Sequence, residues 1–506
     1  MTARRWQYHT DQQIKTMVFN QIMDLSRDFH DGKNVGALGK LTLHGTAIGN
    51  LGSLVTLDLI PVVMDLSVSV SLLYLRFGPY MGMISAASIL LYSWWWFKKI
   101  AKPQEASLRE YFQASRHHHA VFYESIENWL TAIYFHRVEY EKSRYLRAVQ
   151  ELLQSAGQYR TWVDIRCVVA ALILNTGYAG ACFMLVLQII QGPNSAGNFI
   201  MFTTYWNKIA ETLQRLDKTV NEIIQQFQSG QELVSLLKRL PLIRDGPDAV
   251  SLSAEFAGDV QFESVSFAYP RNVSNVLEEV SFTCLNGQIT AIVGETGAGK
   301  STIFKLLLRH VDPSKGSVKI NGHDIRNVER ASLQEIIGIV PQDVTFFNES
   351  IRYNLEYAKS DASMAEIIQA CKAARVHEWI EKLPNGYDTN VGDKGVKLSV
   401  GERQRLSIAQ NILKNPTILL LDEPTSAIDV ENERHIQKNL EQSKDRRTTI
   451  VITHRLTTIC AADNILVLKG GKIVDQGAHK ELMTRPGYYR DVLHREHVKD
   501  QVEAQF

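Results

Sequence analysis

The 506-residue chain has almost no net charge, few cysteines and few apolar residues in its opening stretch, and each shortage argues against a class of protein. Fifty-five Lys and Arg stand against 54 Asp and Glu, a formal charge of +1. No global basic field points to nucleic acid, so no nucleic-acid partner is expected. The five cysteines (Cys167, Cys182, Cys284, Cys371 and Cys460) are scattered, with no C-x-x-C pair. That argues against a disulfide framework and against a zinc site. The opening residues MTARRWQYHTDQQ are polar and lack the apolar core of a signal peptide. The expectation is a chain that starts on the cytosolic side, or starts late.

What is present is unevenly spread. The length leaves room for two to four domains. Long apolar runs lie before residue 220, and the second half reads as soluble. Three runs of about 20 residues can cross a bilayer: roughly Leu54 to Leu75, Phe77 to Phe97 and Val168 to Ile190. Trp94, Trp95 and Trp96, followed by Lys98 and Lys99, read as an aromatic belt meeting cytosolic headgroups. A fourth run, roughly Asn198 to Leu216, carries Lys208 and Glu211 and reads as lining a wet interior. Residues 98–162 are rich in Lys and Arg, whereas the loops near Gly78 and 191–198 hold almost none. The positive-inside rule then puts the long segment and the second half of the chain in the cytosol. Asp58 and Asp65 share a helical face and read equally as a polar cavity wall or as interhelical hydrogen-bond partners. The run His117–His119 has neighbours typical of a solvated helix, and a metal role is disfavoured.

In the second half, QITAIVG reads as a buried strand, ETGAGKST as a turn and TIFKLLLRH as a helix. This strand–loop–helix context marks GxxxxGK[ST] as a phosphate-binding loop. Gly294, Gly297 and Gly299 let backbone N–H groups converge on phosphate oxygens, and Glu295, Thr296, Ala298 and Thr302 complete the loop. Lys300 is placed to neutralise β- and γ-phosphates, and Ser301 offers a hydroxyl to Mg²⁺. PTILLLDEPTSAID is a second apolar strand ending in acids: Asp422 is placed to hold Mg²⁺, and Glu423 to polarise an attacking water as general base. TTIVITH puts His454 beside the same crevice, as a core histidine or a γ-phosphate sensor. The glycosylation patterns at Asn272 and Asn348 fall in this half and read as chance matches.

The region from about Gly258 to Gln501 resembles the nucleotide-binding domain of ABC transporters, motif for motif and in order. The resemblance implies that Tyr269 in VSFAYP stacks on adenine. It places Gln342 in the loop that reaches the metal, Asp429 in the D-loop and His454 as the switch histidine. VGDKG (Val391–Gly395) looks like the loop before the signature in exporters, and LSVGE fills the signature position. There Ser399, Gly401 and Glu402 would close over ATP held by a second nucleotide-binding domain, so the working unit would be a homodimer or a pair with another half-transporter. Val400 replaces the usual glycine. A β-branched residue would crowd the loop, and slow hydrolysis, if that position needs positive φ.

The membrane half resembles half-size exporters of the mitochondrial and heavy-metal-tolerance group. The likeness lies in Asp28–Ile48 and Glu124–Tyr145 as cytosolic loops, with coupling helices near Phe29 and Asn128, and in Gly197–Trp206. That group carries six core spans and the residues here give four, as though the chain began just after the second span. Helices lost, a misplaced start and a partner supplying them are the three alternatives. LNTGYAG keeps Asn175 and Gly177, with Tyr178 where the group usually has Gln, which leaves the substrate open between a metal–thiol conjugate, a peptide and a hydrophobic metabolite.

The expected fold is an α-helical transmembrane domain (residues 1–240), a linker (241–257) and an α/β P-loop NTPase domain (258–506). The expected activity is ATP-driven export with ATP and Mg²⁺ as cofactors. The alternative is a truncated membrane ATPase that transports nothing. A multi-pass protein with a cytosolic nucleotide domain is expected, in a vacuolar or plasma membrane rather than a mitochondrial one.

Overall fold

In the computed structural model, residues 2–26, 29–30, 51–191, 196–252, 258–269, 274–424, 435–436, 438–439 and 447–491 are described. The chain divides after Leu242 into two units, each with its own core.

The first unit is helical. A helix of 23 residues, Thr2–Asp24, leads. Leu51–Phe77 and Val138–Ile190 are long and apolar enough to cross a membrane. The first of these runs as a π-helix over Leu54–Leu59 before it continues as the helix Ile60–Phe77. The other two expected spans are also helical. One is Pro79–Trp95, which passes into a π turn at Trp96–Ile100. The other lies within Ala196–Leu237, where Lys208 and Glu211 are exposed. Asp58 and Asp65 are exposed as well. Leu73, Met81, Leu185 and Phe202 are fully buried between these helices. Gly177 permits the closest approach among them: a Cβ there would come 2.3 Å from Ser88 Oγ and 3.2 Å from the Trp206 ring. Tyr178 lies parallel to Phe202, with centroids 6.2 Å apart.

A polar knot ties the helices further along. Buried Arg166 sits 3.1 Å from Asp217 Oδ2 and donates to Asn221 Oδ1 at 2.8 Å, while the Tyr92 hydroxyl donates to Asp217. Gln104 donates to the same Asn221 oxygen at 2.8 Å. A buried guanidinium persists only with this degree of pairing. The three histidines of the His117–His119 run diverge instead: His117 lies 3.9 Å from Glu151, His118 3.0 Å from Tyr145 and His119 2.6 Å from the Ser115 carbonyl. Among the described residues no group of three or more His, Cys, Asp or Glu is placed to hold a metal ion. Of the expected coupling regions, Phe29 is buried with Val18 and Leu25 while residues 31–48 of that loop lie outside the described residues, and Asn128 is the N-cap of the short helix Trp129–Tyr134.

The second unit begins within the expected linker. Arg309, 3% exposed, pairs with Asp245 at 3.1 Å and donates to the Arg244 carbonyl, and Leu252 is buried in the unit's core. Two sheets follow among the described residues. β1 (Val260–Phe267), β2 (Leu277–Cys284), β4 (Lys315–Ile320) and β5 (His323–Asp324) form an antiparallel sheet in the order β2-β1-β4-β5. β3 (Ile289–Gly294), β6 (Ile337–Val340), β7 (Ile418–Asp422), β8 (Thr448–Ile452), β9 (Asn464–Lys469) and β10 (Lys472–Gly477) form the second, in the order β10-β9-β3-β8-β7-β6. From β9 to β6 its strands run parallel. Their continuous apolar runs, ITAIV, ILLL and TTIVI, suit strands covered on both faces. Ligands of such sheets bind at the carboxyl ends of the strands.

Candidate functional site

Those carboxyl ends carry the residues picked out from the sequence. β3 ends at Gly294 with φ 154°, and a Cβ there would lie 2.1 Å from the Leu468 carbonyl oxygen. Gly297 and Gly299 have φ of 82° and 104°, and Gly299 caps the helix Lys300–Leu307. The loop Glu295–Thr296–Gly297–Ala298 therefore curls back over the start of that helix, with Ala298 N–H donating to the Glu295 carbonyl. Lys300 is buried, and its Nζ donates to the carbonyls of Gly294 at 2.5 Å and Glu295 at 3.1 Å. Burial lowers the Lys300 pKa, and the nearby Glu423 and Asp422 carboxylates oppose that shift. Ser301 is exposed at the mouth of the loop and Thr302 is buried behind it.

Asp422 closes β7 and Glu423 follows in the left-handed region, φ 49°. A non-glycine residue held there costs of order 1 kcal/mol. Two bonds fix it: Glu423 N–H donates to the Ile452 carbonyl at 2.9 Å, and Gln404 Nε2 donates to the Glu423 carbonyl at 3.4 Å. The side chain receives Gln342 Nε2 on Oε2 at 3.1 Å, and His454 Nε2 lies 3.5 Å from Oε1. Gln342, Glu423 and His454, from three strand ends, thus meet at one carboxylate. Burial raises the Asp422 pKa, the Glu423 charge adds to it and Lys300 opposes it. Asp422, the Ser301 hydroxyl and the Gln342 amide oxygen are hard oxygen donors of the kind Mg²⁺ takes, and Asp422 interacts electrostatically with Lys300, the residue before Ser301.

Tyr269 packs edge-on against Phe267 (centroids 4.9 Å), with its hydroxyl 3.3 Å from Thr302 Oγ1. Lys305 donates to that hydroxyl at 3.1 Å, and its ammonium lies 5.1 Å from the ring centroid.

The LSVGE stretch opens the helix Val400–Lys414. Ser399 is its N-cap, and Ser399 and Glu402 bond reciprocally: Glu402 N–H donates to Ser399 Oγ at 3.3 Å, and Ser399 N–H to Glu402 Oε2 at 2.7 Å. The S-x-x-E spacing of this capping box is legible in the sequence. Val400 has helical backbone, and its side chain is 51% exposed. The expected crowding through positive φ is therefore corrected: neither Val400 nor Gly401 occupies the left-handed region. Asp429 lies outside the described residues. Sequence reasoning missed Gln404 and Lys305, because their partners Glu423 and Tyr269 lie far along the chain with no motif to mark the pairing.

A phosphate-binding loop at the carboxyl end of an interior strand of a parallel sheet, joined in one chain to long apolar helices, defines a membrane protein with a P-loop nucleotide unit. Residues 277–426 match the model of the ABC transporter family, and residues 8–212 that of the ABC transporter transmembrane region. The chain is 36% identical over 475 residues to the heavy metal tolerance protein of Schizosaccharomyces pombe, covering 94% of this chain and 57% of that protein. It is 35% identical over 481 residues to the ATM1-type heavy metal exporter of Novosphingobium aromaticivorans, covering 95% and 78%. A solved structure of a bacterial Atm1-family ABC exporter with ATP bound shares 33% identity, with a TM-score of 0.91 over 97% of this chain and 86% of that one. The chain belongs to the ABC transporter family, and its relatives include exporters of Atm1 type. It spans 57–60% of the length of the first three curated relatives it matches.

Proposed function

We propose that the chain is half of an ATP-driven exporter. Two copies, or one copy and another half-transporter, bury two ATP molecules between the phosphate loop of one nucleotide unit and the Ser399–Glu402 helix start of the other. The observation that carries the reading is the convergence of Gln342 and His454 on the Glu423 carboxylate beside the Lys300 loop. Glu423 is held to orient and deprotonate the attacking water, and His454 to meet the γ-phosphate. Lys300 would leave the loop carbonyls for the β- and γ-phosphates, Tyr269 would stack on adenine, and the helix dipole at Ser399 would face the partner's γ-phosphate. Ser301, Gln342 and Asp422 would hold Mg²⁺, which when bound neutralises charge on the phosphates.

The nucleotide unit is assigned to the cytosol, and a vacuolar or plasma membrane is favoured. The heavy metal tolerance and heavy metal export in the relatives' names support a metal-containing substrate, of which a metal–thiol conjugate is the form we propose. A hydrophobic metabolite is the alternative substrate. The test is ATP hydrolysis and transport in reconstituted vesicles, with Lys300→Ala and Glu423→Gln as controls. Transport abolished by both supports export. Hydrolysis without transport supports a membrane ATPase instead.

A further inference from the structure

The phosphate loop contains an acid of its own. Glu295 follows Gly294 directly, and a carboxylate so near a triphosphate opposes its binding, since like charges a few ångströms apart repel even in water. The structure gives this carboxylate a dedicated partner. The Tyr488 hydroxyl donates to Glu295 Oε1. Tyr488 comes from the segment after the helix His479–Thr484, far along the chain from the loop. Its ring lies beneath the Lys469 ammonium, 4.2 Å from the ring centroid. Lys469 ends β9 directly after Leu468, which registers with Gly294 at the root of the loop.

The segment that delivers Tyr488 is itself fixed. Tyr489 is 2% exposed, and its hydroxyl lies 2.7 Å from His479 Nδ1. Its N–H donates to Asp475 Oδ2 at 3.4 Å. Gly487 packs so closely that a Cβ there would lie 2.9 Å from the same carboxylate.

We propose that Tyr488 is a positioning residue for the nucleotide. It binds the Glu295 carboxylate and, with the Lys469 ammonium over its ring, keeps that charge from the phosphate oxygens the loop receives. The proposal rests on the reading of this loop as an ATP site. A merely mechanical tie would behave differently, because loss of the hydroxyl would then loosen the segment whatever stood at position 295.

The test is a two-by-two set on the full chain in lipid nanodiscs: wild type, Tyr488→Phe, Glu295→Gln and the double variant. The readouts are the Kd of the fluorescent analogue mant-ATP and the KM and kcat for ATP hydrolysis. Tyr488→Phe should weaken mant-ATP binding roughly fivefold, with the change falling on KM rather than kcat and shrinking at high salt. In the Glu295→Gln background the same substitution should change nothing further. Equal losses in both backgrounds would make Tyr488 a structural tie and overturn the proposal, as would no loss in Tyr488→Phe alone. Wild-type protein that fails to bind mant-ATP would instead overturn the ATP reading itself, a separately recognisable result.

Discussion

Gly294 and Gly297 stand in one loop, but an alanine at each meets different surroundings. At Gly294 the new Cβ would lie 2.1 Å from a backbone oxygen of β9, which cannot swing aside. At Gly297 nothing lies within 4 Å, and only the left-handed φ resists. Gly297→Ala should therefore cost ~1 kcal/mol of stability, and Gly294→Ala over ~2 kcal/mol. Denaturant titration of the two variants checks the order, and an equal loss would contradict the steric argument. Val400 belongs at the same scale. Its helical backbone removes the reason to expect faster turnover from Val400→Gly. Glycine in a first helical turn costs roughly 0.5–1 kcal/mol, so turnover should stay level or fall. A clear rise in ATPase rate would show that the valine side chain itself obstructs the site.

Individual elements show why some of the site was legible and some was not. The P-loop could be read because its strand, turn and helix are consecutive, so spacing alone fixes the geometry. Asp422 and Glu423 were legible because an apolar strand ends on them. Gln404 and Tyr488 were not, since each acts through a partner brought near only by the folded sheet. The helix Met364–Ala373 tests a purely local device. Its N-cap Ser363 and Glu366 form a capping box, and Lys359 adds an ion pair at 2.6 Å. The Lys359 hydrogen bond, then those from Ser363, push the Glu366 pKa down from 4.5 to about 2. A depressed folded-state value means stabilisation that is full above pH ~4.5 and lost as pH falls toward ~2. Denaturation of wild type and Glu366→Gln across that range should show a gap at neutral pH that narrows on acidification. A gap independent of pH would assign the effect to something other than charge.

The whole molecule divides after Leu242, and the second unit carries both buried cores of the nucleotide half. Residues 243–506 should then fold alone and run as a monomer without nucleotide. Glu423→Gln with ATP and Mg²⁺ should shift this fragment to a dimer on size-exclusion chromatography, because binding is kept and the hydrolysis that opens the pair is lost. A fragment that stays monomeric at saturating ATP would count against the shared site. The register of the central strand has a different consequence, for biosynthesis. Ile289 pairs with Thr449 on one side and Gly294 with Leu468 on the other. On the ribosome β3 leaves the exit tunnel long before either neighbour exists, so the nascent loop has no walls while most of the nucleotide half is translated. Competence to hold a ligand should appear late and all at once, near the emergence of β9, and until then an apolar strand waits unpaired, the stage at which the nascent chain is most exposed to aggregation and chaperone capture.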